Sequence, residues 1–330
     1  MIRVAVAGLG RIGAQNDMAV AEMVTPRSHV GAILSNSALQ IVALIDPNSA
    51  TQTSVLQRWP MLQKASRLGG LDELARGAAD IIVVAGPTGT RERDVMTAIR
   101  KKPSLLIVEK PFGRNLEEGQ RLVETAGAEG VTIRVNFPRR FDPGHAEVRA
   151  KLRGTPNQVI VRYSKGIQNY GSHAVDLLLD WFGTVSEVQA FGGVLNSDDP
   201  NVSFRCGMAS GFDAVLLGID NLDYDQFEFE LYFRDQRIEL ANGGVEKRVS
   251  VAINDLHYPG HTQLGPAKAL SSAQLVGGMV ELYRAASAHL TSGAPLGGCD
   301  EASALAGLAV VDAALASRRA GGKAVKPKAA

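Results

Sequence analysis

Cysteine is nearly absent: Cys206 and Cys299 are the only two in 330 residues, far apart and in unlike contexts. That excludes a disulfide framework and leaves reduced, buried thiols as the expectation. Charge of one sign is also lacking, since 35 basic residues face 34 acidic ones for a formal net charge of +1. Without a basic block or a basic stripe interleaved with aromatics, nucleic acid and acidic membrane surfaces are excluded as partners. The basic tail Lys323-Ala-Val-Lys326-Pro-Lys328 is too short to count and reads as a frayed terminus. No run approaches the ~20 apolar residues of a membrane span. The apolar start is too short for a signal peptide, so a soluble, cytoplasmic protein is expected. There is no internal repeat and no low-complexity linker. A Gly-x-Ser-x-Gly elbow and a Cys-His pairing are missing too, which argues against hydrolysis through a nucleophile. His257 and His261 are four apart, but Pro259 and Gly260 break any helix that would align them, and no third ligand is evident. The expectation there is a cleft-edge loop, and no metal.

What is present begins at the amino terminus. Ile2 to Ala7 is an apolar run that enters Gly8-Leu-Gly10-Arg11-Ile12-Gly13. It reads as a buried parallel strand, a tight turn and the first turn of a helix, the geometry that serves a dinucleotide. Gly8 lets the chain turn, Gly10 lets backbone approach a pyrophosphate, and Gly13 lets helix and strand pack. The N–H groups and dipole of the helix start attract phosphate. A second run, Ile41 to Ile45, ends in Asp46, whose carboxylate can accept both ribose hydroxyls of an adenosine and repels a 2′-phosphate. Asp46 lies 33 residues beyond Gly13, against a usual separation of about 20. Residues 14–28 are the extra material, extending the first helix or forming a loop near the cofactor.

Strand-like runs at 2–7, 41–46, 80–85, 104–108 and 131–135 alternate with helical stretches at 48–58, 71–77, 88–101 and 115–129. The strands lack polar alternation, which suits a sheet covered on both faces, and Asn115 is placed to cap the last helix. This is a doubly wound parallel sheet. After residue 155 the pattern changes. Runs near 157–165, 186–195, 202–209, 212–219, 225–234, 236–241 and 246–253 alternate apolar and polar residues, the mark of an antiparallel sheet. A helix near 170–182 interrupts them early, and alanine-rich helices near 272–291 and 300–318 close the chain. The fold class is therefore α/β, an N-terminal Rossmann sheet plus a C-terminal α+β domain with a mostly antiparallel open sheet. The expected domains are 1–140 for the dinucleotide and 141–330 for substrate and oligomerisation, with the C-terminal helix available to pack back on the first.

Two constellations carry chemistry. The run Ser104 to Val108 ends in Glu109-Lys110-Pro111, charged residues at the carboxyl end of a parallel strand, where open α/β sheets bind ligands. A cis bond before Pro111 would aim Lys110 sharply. The second is Asn169-Tyr170-Gly-Ser-His173, with Asp176 and Asp180 at helical spacing. A histidine in a first turn feels the positive end of the helix dipole, which favours neutral imidazole and a usable base.

Together, Gly-x-Gly-Arg-Ile-Gly, Pro87-Thr88, Glu109-Lys110-Pro111, Val135-Asn136-Phe-Pro-Arg139-Arg140-Phe-Asp-Pro143 and Gly171-Ser-His173-Ala-Val-Asp176 resemble the Gfo/Idh/MocA oxidoreductases, which include glucose-fructose oxidoreductase and inositol dehydrogenase. The ordered motifs span residues 1 to about 185. The resemblance implies a Rossmann domain for NAD or NADP and a second sheet that supports homodimers or homotetramers. It puts the family's active-site lysine on Lys110 and its histidine on His173. The family's frequent aspartate, four residues before the histidine, falls on Asn169, and a neutral amide orients imidazole without holding it charged. Either His173 and Lys110 suffice, another carboxylate substitutes, or the chemistry differs from simple alcohol oxidation. The stretch from Pro143 to Asn169 is also short for the family.

The resulting expectation is hydride transfer between nicotinamide and a hydroxyl carbon of a sugar, cyclitol or nucleotide-sugar lying between Lys110 and His173. Asn169 completes the catalytic set. Gly8, Gly10, Arg11, Ile12, Gly13, Asp46, Pro87, Thr88, Glu109 and Lys110 form the cofactor set, and Asn136, Arg140, Tyr170 and His173 the substrate set. Asp46, with no adjacent Arg or Lys, favours NAD over NADP. Two other readings stand beside this one: redox-neutral, NAD-assisted elimination or glycoside cleavage, and a non-catalytic dinucleotide-binding sensor.

Overall fold

The Val- and Ile-rich runs of the first half become parallel strands because neither face has a polar side to turn to water. The computed structural model describes residues 1–18, 25–195, 197–270 and 277–329. The chain divides into two compact units, residues 1–141 with 276–305 and residues 142–275 with 306–330.

The first unit holds strands β1 (Ile2–Ala7), β2 (Leu39–Ile45), β3 (Ser66–Leu68), β4 (Ile81–Val84), β5 (Leu105–Glu109) and β6 (Thr132–Asn136). Their order is β3-β2-β1-β4-β5-β6, with every neighbouring pair parallel. The strand order reverses at β1, which lies between β2 and β4. Open sheets of this kind bind ligands in the crevice at that switch point. Helices α1 (His29–Leu34), α2 (Ser49–Arg58), α3 (Arg91–Arg100) and α4 (Leu116–Glu129) connect the strands. Asn115 caps α4 as expected, its side chain accepting from the Glu118 N–H at 2.9 Å.

Three local expectations differ from the structure. The segment 71–77 forms a single 3-10 turn, Leu71–Glu73, and no α-helix. The Glu73 carboxylate turns back onto the Gly69 and Gly70 N–H groups, and Gly77 at φ +72° takes the chain out of any helical path. β3 is three residues at a sheet edge, too short and too exposed to leave a periodic signal. The third concerns the helix start after Gly13, which is interrupted and described with the site.

The second unit begins with α5 (Pro143–Lys151) and continues through β7 (Gln158–Tyr163), α6 (Ser172–Phe182), β8 (Val185–Gly192), β9 (Ser203–Met208), β10 (Asp213–Gly218), β11 (Phe227–Tyr232), β12 (Gln236–Ala241), β13 (Glu246–Asn254), β14 (Thr262–Leu264) and β15 (Lys268–Ala269). The strands form one sheet in the order β14-β13-β12-β11-β7-β10-β9-β8, with β15 on β13. Only β7 and β10 run parallel. In β7, β11 and β12 buried and half-buried residues alternate strictly, so one face supplies the core, which includes Tyr163, Phe204, Phe227, Phe229 and the inner side of α6. The closing helices are α7 (Gly278–Ser292) and α8 (Glu301–Arg319). The expected start of the first of them at 272 lies outside the described residues. Met279, Leu282, Tyr283 and Ala286 of α7 pack in the core of the first unit. The basic tail is not frayed: Val325 pairs antiparallel with Val188, exchanging both backbone hydrogen bonds at 2.8 Å, and extends the edge at β8. Among the described residues no helix is long and apolar enough to cross a membrane.

Candidate functional site

The glycine turn leaves β1 with three glycines held for three physical reasons. Gly8 has φ +90°, and a Cβ there would lie 2.4 Å from the Gly86 backbone nitrogen beyond β4. A Cβ on Gly13 would lie 2.0 Å from the Gly8 carbonyl oxygen, so the helix start can sit on the strand end only without one. Gly10 is the opposite case, with nothing within 4 Å of the Cβ position. Its backbone faces open space at the switch point. The carbonyls of Gly10 and Arg11 accept from Ala14, Gln15 and Asn16, closing one helical turn. The N–H groups of Gly10, Arg11, Ile12 and Gly13 find no acceptor among the described residues. Four open donors on a helix start make an anion cradle.

The helix then breaks off and resumes. Residues 15–17 form a 3-10 turn, and α1 begins only at His29. Yet the His29 N–H donates to the Ile12 carbonyl and the Val30 N–H to that of Gly13, both at 2.9 Å. The turn that starts at Gly10 is thus continued, in its hydrogen bonding, by α1. The buried Asp17 carboxylate holds this junction by accepting from the Arg27 and Ser28 N–H groups at 2.7 and 3.0 Å and from the Ser28 hydroxyl. Ser28 in turn accepts from the Gly31 N–H at 3.1 Å and caps α1. The long spacing from Gly13 to Asp46 therefore leaves the sheet geometry untouched. Asp46 reaches back from the end of β2, where its two oxygens accept from the Leu9 N–H at 2.8 Å and the Asn48 N–H at 2.9 Å. It is half-buried beside the glycine turn. Pro87 and Thr88 follow β4 and start a 3-10 turn, Thr88–Thr90, that leads into α3.

The end of β5 is tied by side chains from several elements. The Lys110–Pro111 bond is cis. Arg91, the first residue of α3, donates to the carbonyls of Gly86 and Pro111 at 2.7 Å each and also to that of Glu109. The Glu109 side chain is buried and receives the His29 Nε2–H at 3.0 Å and an Asn136 amide N–H on the same oxygen. Burial pushes its carboxyl up, but the His29 and Asn136 donors and the Arg91 charge together hold it below the usual carboxylate range. The other face of His29 meets the Tyr283 hydroxyl at 2.6 Å from Nδ1. Asn136 is buried, and its amide N–H is spent on Glu109 and Met279. Arg140 lies half-buried in the 3-10 turn Pro138–Phe141, with Nη1 at 3.4 Å from the Gly298 carbonyl.

In the second unit a π-turn, Ile167–Gly171, delivers the chain into α6. Gly166, at φ +92°, admits Asp199 so closely that a Cβ would lie 2.1 Å from its carboxylate. Asp199 accepts from the Gln168 N–H at 2.7 Å and the Asn169 N–H at 3.0 Å. A carboxylate therefore does stand beside Asn169, but it holds the turn's backbone. His173, nearly buried in the first turn of α6, and Tyr170 both set their rings edge-on to Phe227, at 6.5 and 6.0 Å. The Tyr170 hydroxyl donates to Asp225 at 2.9 Å, and Lys165 pairs with the same carboxylate. The Lys165 ammonium holds the Asp225 carboxyl below its ordinary value. A cavity of about 320 Å³ opens here, walled by Lys165, Asn201, Asp223 and Asp225. Tyr170, Asn169 and His173 are thus gathered around one π-turn, while Lys110, Glu109 and Asn136 are gathered at the ends of β5 and β6.

Sequence reasoning missed His29, Tyr283, Arg91 and Asp199. Arg91 left one signal, its place at the head of the helix after Pro87-Thr88. The others left none, because their partners are 80, 254 and about 30 residues away.

Comparison with known proteins bears on this site. Residues 2–137 match the Gfo/Idh/MocA family, described as an oxidoreductase family with an NAD-binding Rossmann fold. An inositol 2-dehydrogenase of Acidothermus cellulolyticus is 33% identical over 136 residues, 36% of this chain and 39% of that enzyme. The chain spans about two fifths of the length of the curated relatives it matches. Over the whole chain the fold is that of an Agrobacterium radiobacter oxidoreductase solved with NAD+, L-tartaric acid and magnesium, at TM-score 0.76, 17% identity and 98% coverage of both chains. It is equally that of a super-repressor mutant of Gal80p from Saccharomyces cerevisiae, at TM-score 0.80 and 16% identity, covering 98% of this chain and 97% of the other. The glycine turn, Asp46 and the Glu109-Lys110-Pro111 turn all lie on the sheet within residues 2–137, the part of the chain that matches the Gfo/Idh/MocA oxidoreductase family.

Proposed function

We infer that this protein is an NAD-dependent oxidoreductase that moves hydride between nicotinamide and a hydroxyl carbon of a sugar, cyclitol or nucleotide-sugar. The observation that carries the reading is the anion cradle: four N–H groups without acceptors among the described residues, open space at Gly10, and the Asp46 carboxylate beside them. Gly10, Arg11, Ile12 and Gly13 would hold the pyrophosphate, Asp46 the adenosine ribose, and Pro87, Thr88 and the Glu109–Lys110 turn the nicotinamide half. A carboxylate at Asp46 repels a 2′-phosphate, so NAD is the cofactor assigned and NADP the disfavoured one. Bound NAD supplies the hydride acceptor.

The remaining chemistry belongs to side chains. His173 accepts the hydroxyl proton, and the Lys110 ammonium stabilises the charge that develops on the substrate oxygen. A lysine near its ordinary pKa of about 10.4 is a poor base at neutral pH, so the base role goes to the imidazole. Asn169, Tyr170 and Arg140 orient the substrate, and the buried Asn136, expected from the sequence as a substrate contact, acts instead through Glu109. Inositol dehydrogenases among the relatives support a polyol as the substrate class. A homodimer or homotetramer through the nine-stranded sheet is part of the same proposal, and sedimentation tests it.

The test is a panel of cyclitols, free sugars and nucleotide-sugars followed by NADH absorbance, with NAD and NADP compared. Net NADH formation that disappears in Lys110→Ala and His173→Ala is the result expected. Turnover without net NADH would overturn it in favour of redox-neutral chemistry, and NAD binding without any turnover in favour of a sensor.

A further inference from the structure

Of the buried polar groups in the first unit, one chain of contacts ends beside the residue to which the chemistry is assigned. Tyr283, His29 and Glu109 lie in line, with Tyr283 Oη 2.6 Å from His29 Nδ1 and His29 Nε2 3.0 Å from Glu109 Oε1. They come from α7, α1 and β5, and all three are buried. Their protons can be assigned from the ends inward. Glu109 is held ionised, since its donors and the Arg91 charge outweigh the effect of burial. A carboxylate only accepts, so His29 Nε2 carries a proton and donates it. Tyr283 keeps its own proton, because burial first and the Glu109 charge second raise its hydroxyl well above the ordinary range. Nε2–H therefore donates to Glu109 while Nδ1 shares a hydrogen bond with the Tyr283 hydroxyl, and the two contacts together fix the orientation of the ring.

Glu109 immediately precedes Lys110. Arg91 holds the carbonyls on both sides of the lysine, those of Glu109 and Pro111. That clamp fixes the path of the backbone. It does not fix the rotation of β5 about its axis at the last residue, which a side chain anchored in the interior does. The Glu109 side chain has two such anchors. Asn136 comes from the neighbouring strand β6 in register with Glu109, so it moves with the sheet edge. His29 comes from α1, which packs against β2 and α7 and is continuous in hydrogen bonding with the dinucleotide turn through Ile12 and Gly13. It is the group that ties the Lys110 turn to the glycine turn.

We propose that His29 is a positioning residue for Lys110: held by Tyr283 from behind, it anchors the Glu109 side chain and so sets the active-site ammonium relative to the dinucleotide turn. This rests on the assignment of Lys110 made above. Asp17 and Ser28 matter to it, because they deliver His29 to the helix at the point where Ile12 and Gly13 receive it.

The test compares His29→Phe, His29→Gln and Tyr283→Phe in the full chain with wild type. His29→Phe keeps the ring and removes both nitrogens, while His29→Gln returns one N–H donor towards Glu109. A catalytic group displaced by ~1 Å costs about 10²-fold, so His29→Phe is expected to lower kcat about 10²-fold. The dissociation constant for NAD, read by fluorescence titration, should stay within about threefold, the signature of an effect confined to the reacting state. His29→Gln should recover most of the loss, and Tyr283→Phe should show a smaller one. A readout free of turnover is the labelling rate of Lys110 by an amine-reactive ester, mapped by mass spectrometry with Lys101 as internal reference. It should rise in His29→Phe and return towards wild type in His29→Gln. Equal losses of NAD affinity and kcat, or a fall in melting temperature with unchanged Lys110 labelling, would overturn the proposal. Should wild type turn over no polyol, the functional reading fails, and the labelling comparison still decides whether His29 sets Lys110.

Discussion

Lys247 is a lysine with no exposed surface, in a strand (β13) most of whose other residues are exposed or half-buried, and it offers a demanding test of the second unit's energetics. Its Nζ lies 3.6 Å from Asp142 Oδ1, and the same oxygen is 3.2 Å from His145 Nδ1. Asp142 also caps α5 by accepting from the His145 N–H at 3.1 Å. Replacing Asp142 by Asn preserves the cap, since Asn serves there as well as Asp, and removes only the charge. The Lys247 ammonium is then buried against a neutral amide. Breaking a buried pair from one side costs about 3–5 kcal/mol, whereas removing both charges together is close to neutral. For a cooperative unit of this size each kcal/mol is worth roughly 2–4 °C, so Asp142→Asn should lower the melting temperature by about 6–20 °C. Urea denaturation followed by Trp181 fluorescence reports the event locally, because that ring stacks on His145 at 6.2 Å. The double variant Asp142→Asn with Lys247→Met should recover most of the loss. The acid limb carries a second signature. Burial pushes the Asp142 carboxyl up, but the His145 contacts and the Lys247 charge outweigh that and hold it below its ordinary value. A carboxyl depressed in the folded state contributes stability above its unfolded pKa of about 3.9 and loses it as pH falls through the folded value. Asp142→Asn should lack that part of the acid slope. A single variant within about 1 kcal/mol of wild type, or a double variant no better than the single, would refute the pairing argument.

Three further outcomes follow from the geometry. Gly13→Ala must displace the Gly8 carbonyl, 2.0 Å from the new Cβ, and should cost about 1–3 kcal/mol in denaturant titration. Gly10→Ala meets no protein atom within 4 Å, so it should fold like wild type and lose NAD affinity, measured by calorimetry. Asp46→Ser should weaken NAD by about 1.5–3 kcal/mol, the worth of hydrogen bonds to a charged acceptor, and narrow the preference over NADP in parallel titrations. Cys206 is fully buried, with its thiol pushed far up by that burial, and should not react with a disulfide reagent until the chain is unfolded.

How much was legible in the sequence follows from the range of each interaction. The six apolar residues of β1, the glycine spacing and the charged end of β5 are local, so the Rossmann unit and the neighbourhood of Gly10, Asp46 and Lys110 can be read from short windows. The close approach of Gly13 to Gly8 is readable too, because it depends on one turn, whereas the contact of Gly8 with Gly86 beyond β4 is not. The alternation in β7, β11 and β12 announces a sheet with a single buried face in the same way. Where the pattern misled, a hydrogen bond that hydrophobic periodicity does not register had decided the outcome. Glu73 folds back on Gly69 and Gly70 and ends a helix the pattern suggested. Val325 finds Val188 and orders a tail that composition leaves loose.

The sequence by itself determined most of the strand and helix alphabet, the glycine turn and the residue types offered for chemistry, since these depend on backbone geometry within a few residues. Only the tertiary structure decided that His29 and Val30 bond back to Ile12 and Gly13, that Asp199 stands behind Asn169, and that His29 and Tyr283 converge on Glu109. The reason is physical. A buried charge must be met by donors from whatever element packs against it, and packing brings together residues that no local pattern connects.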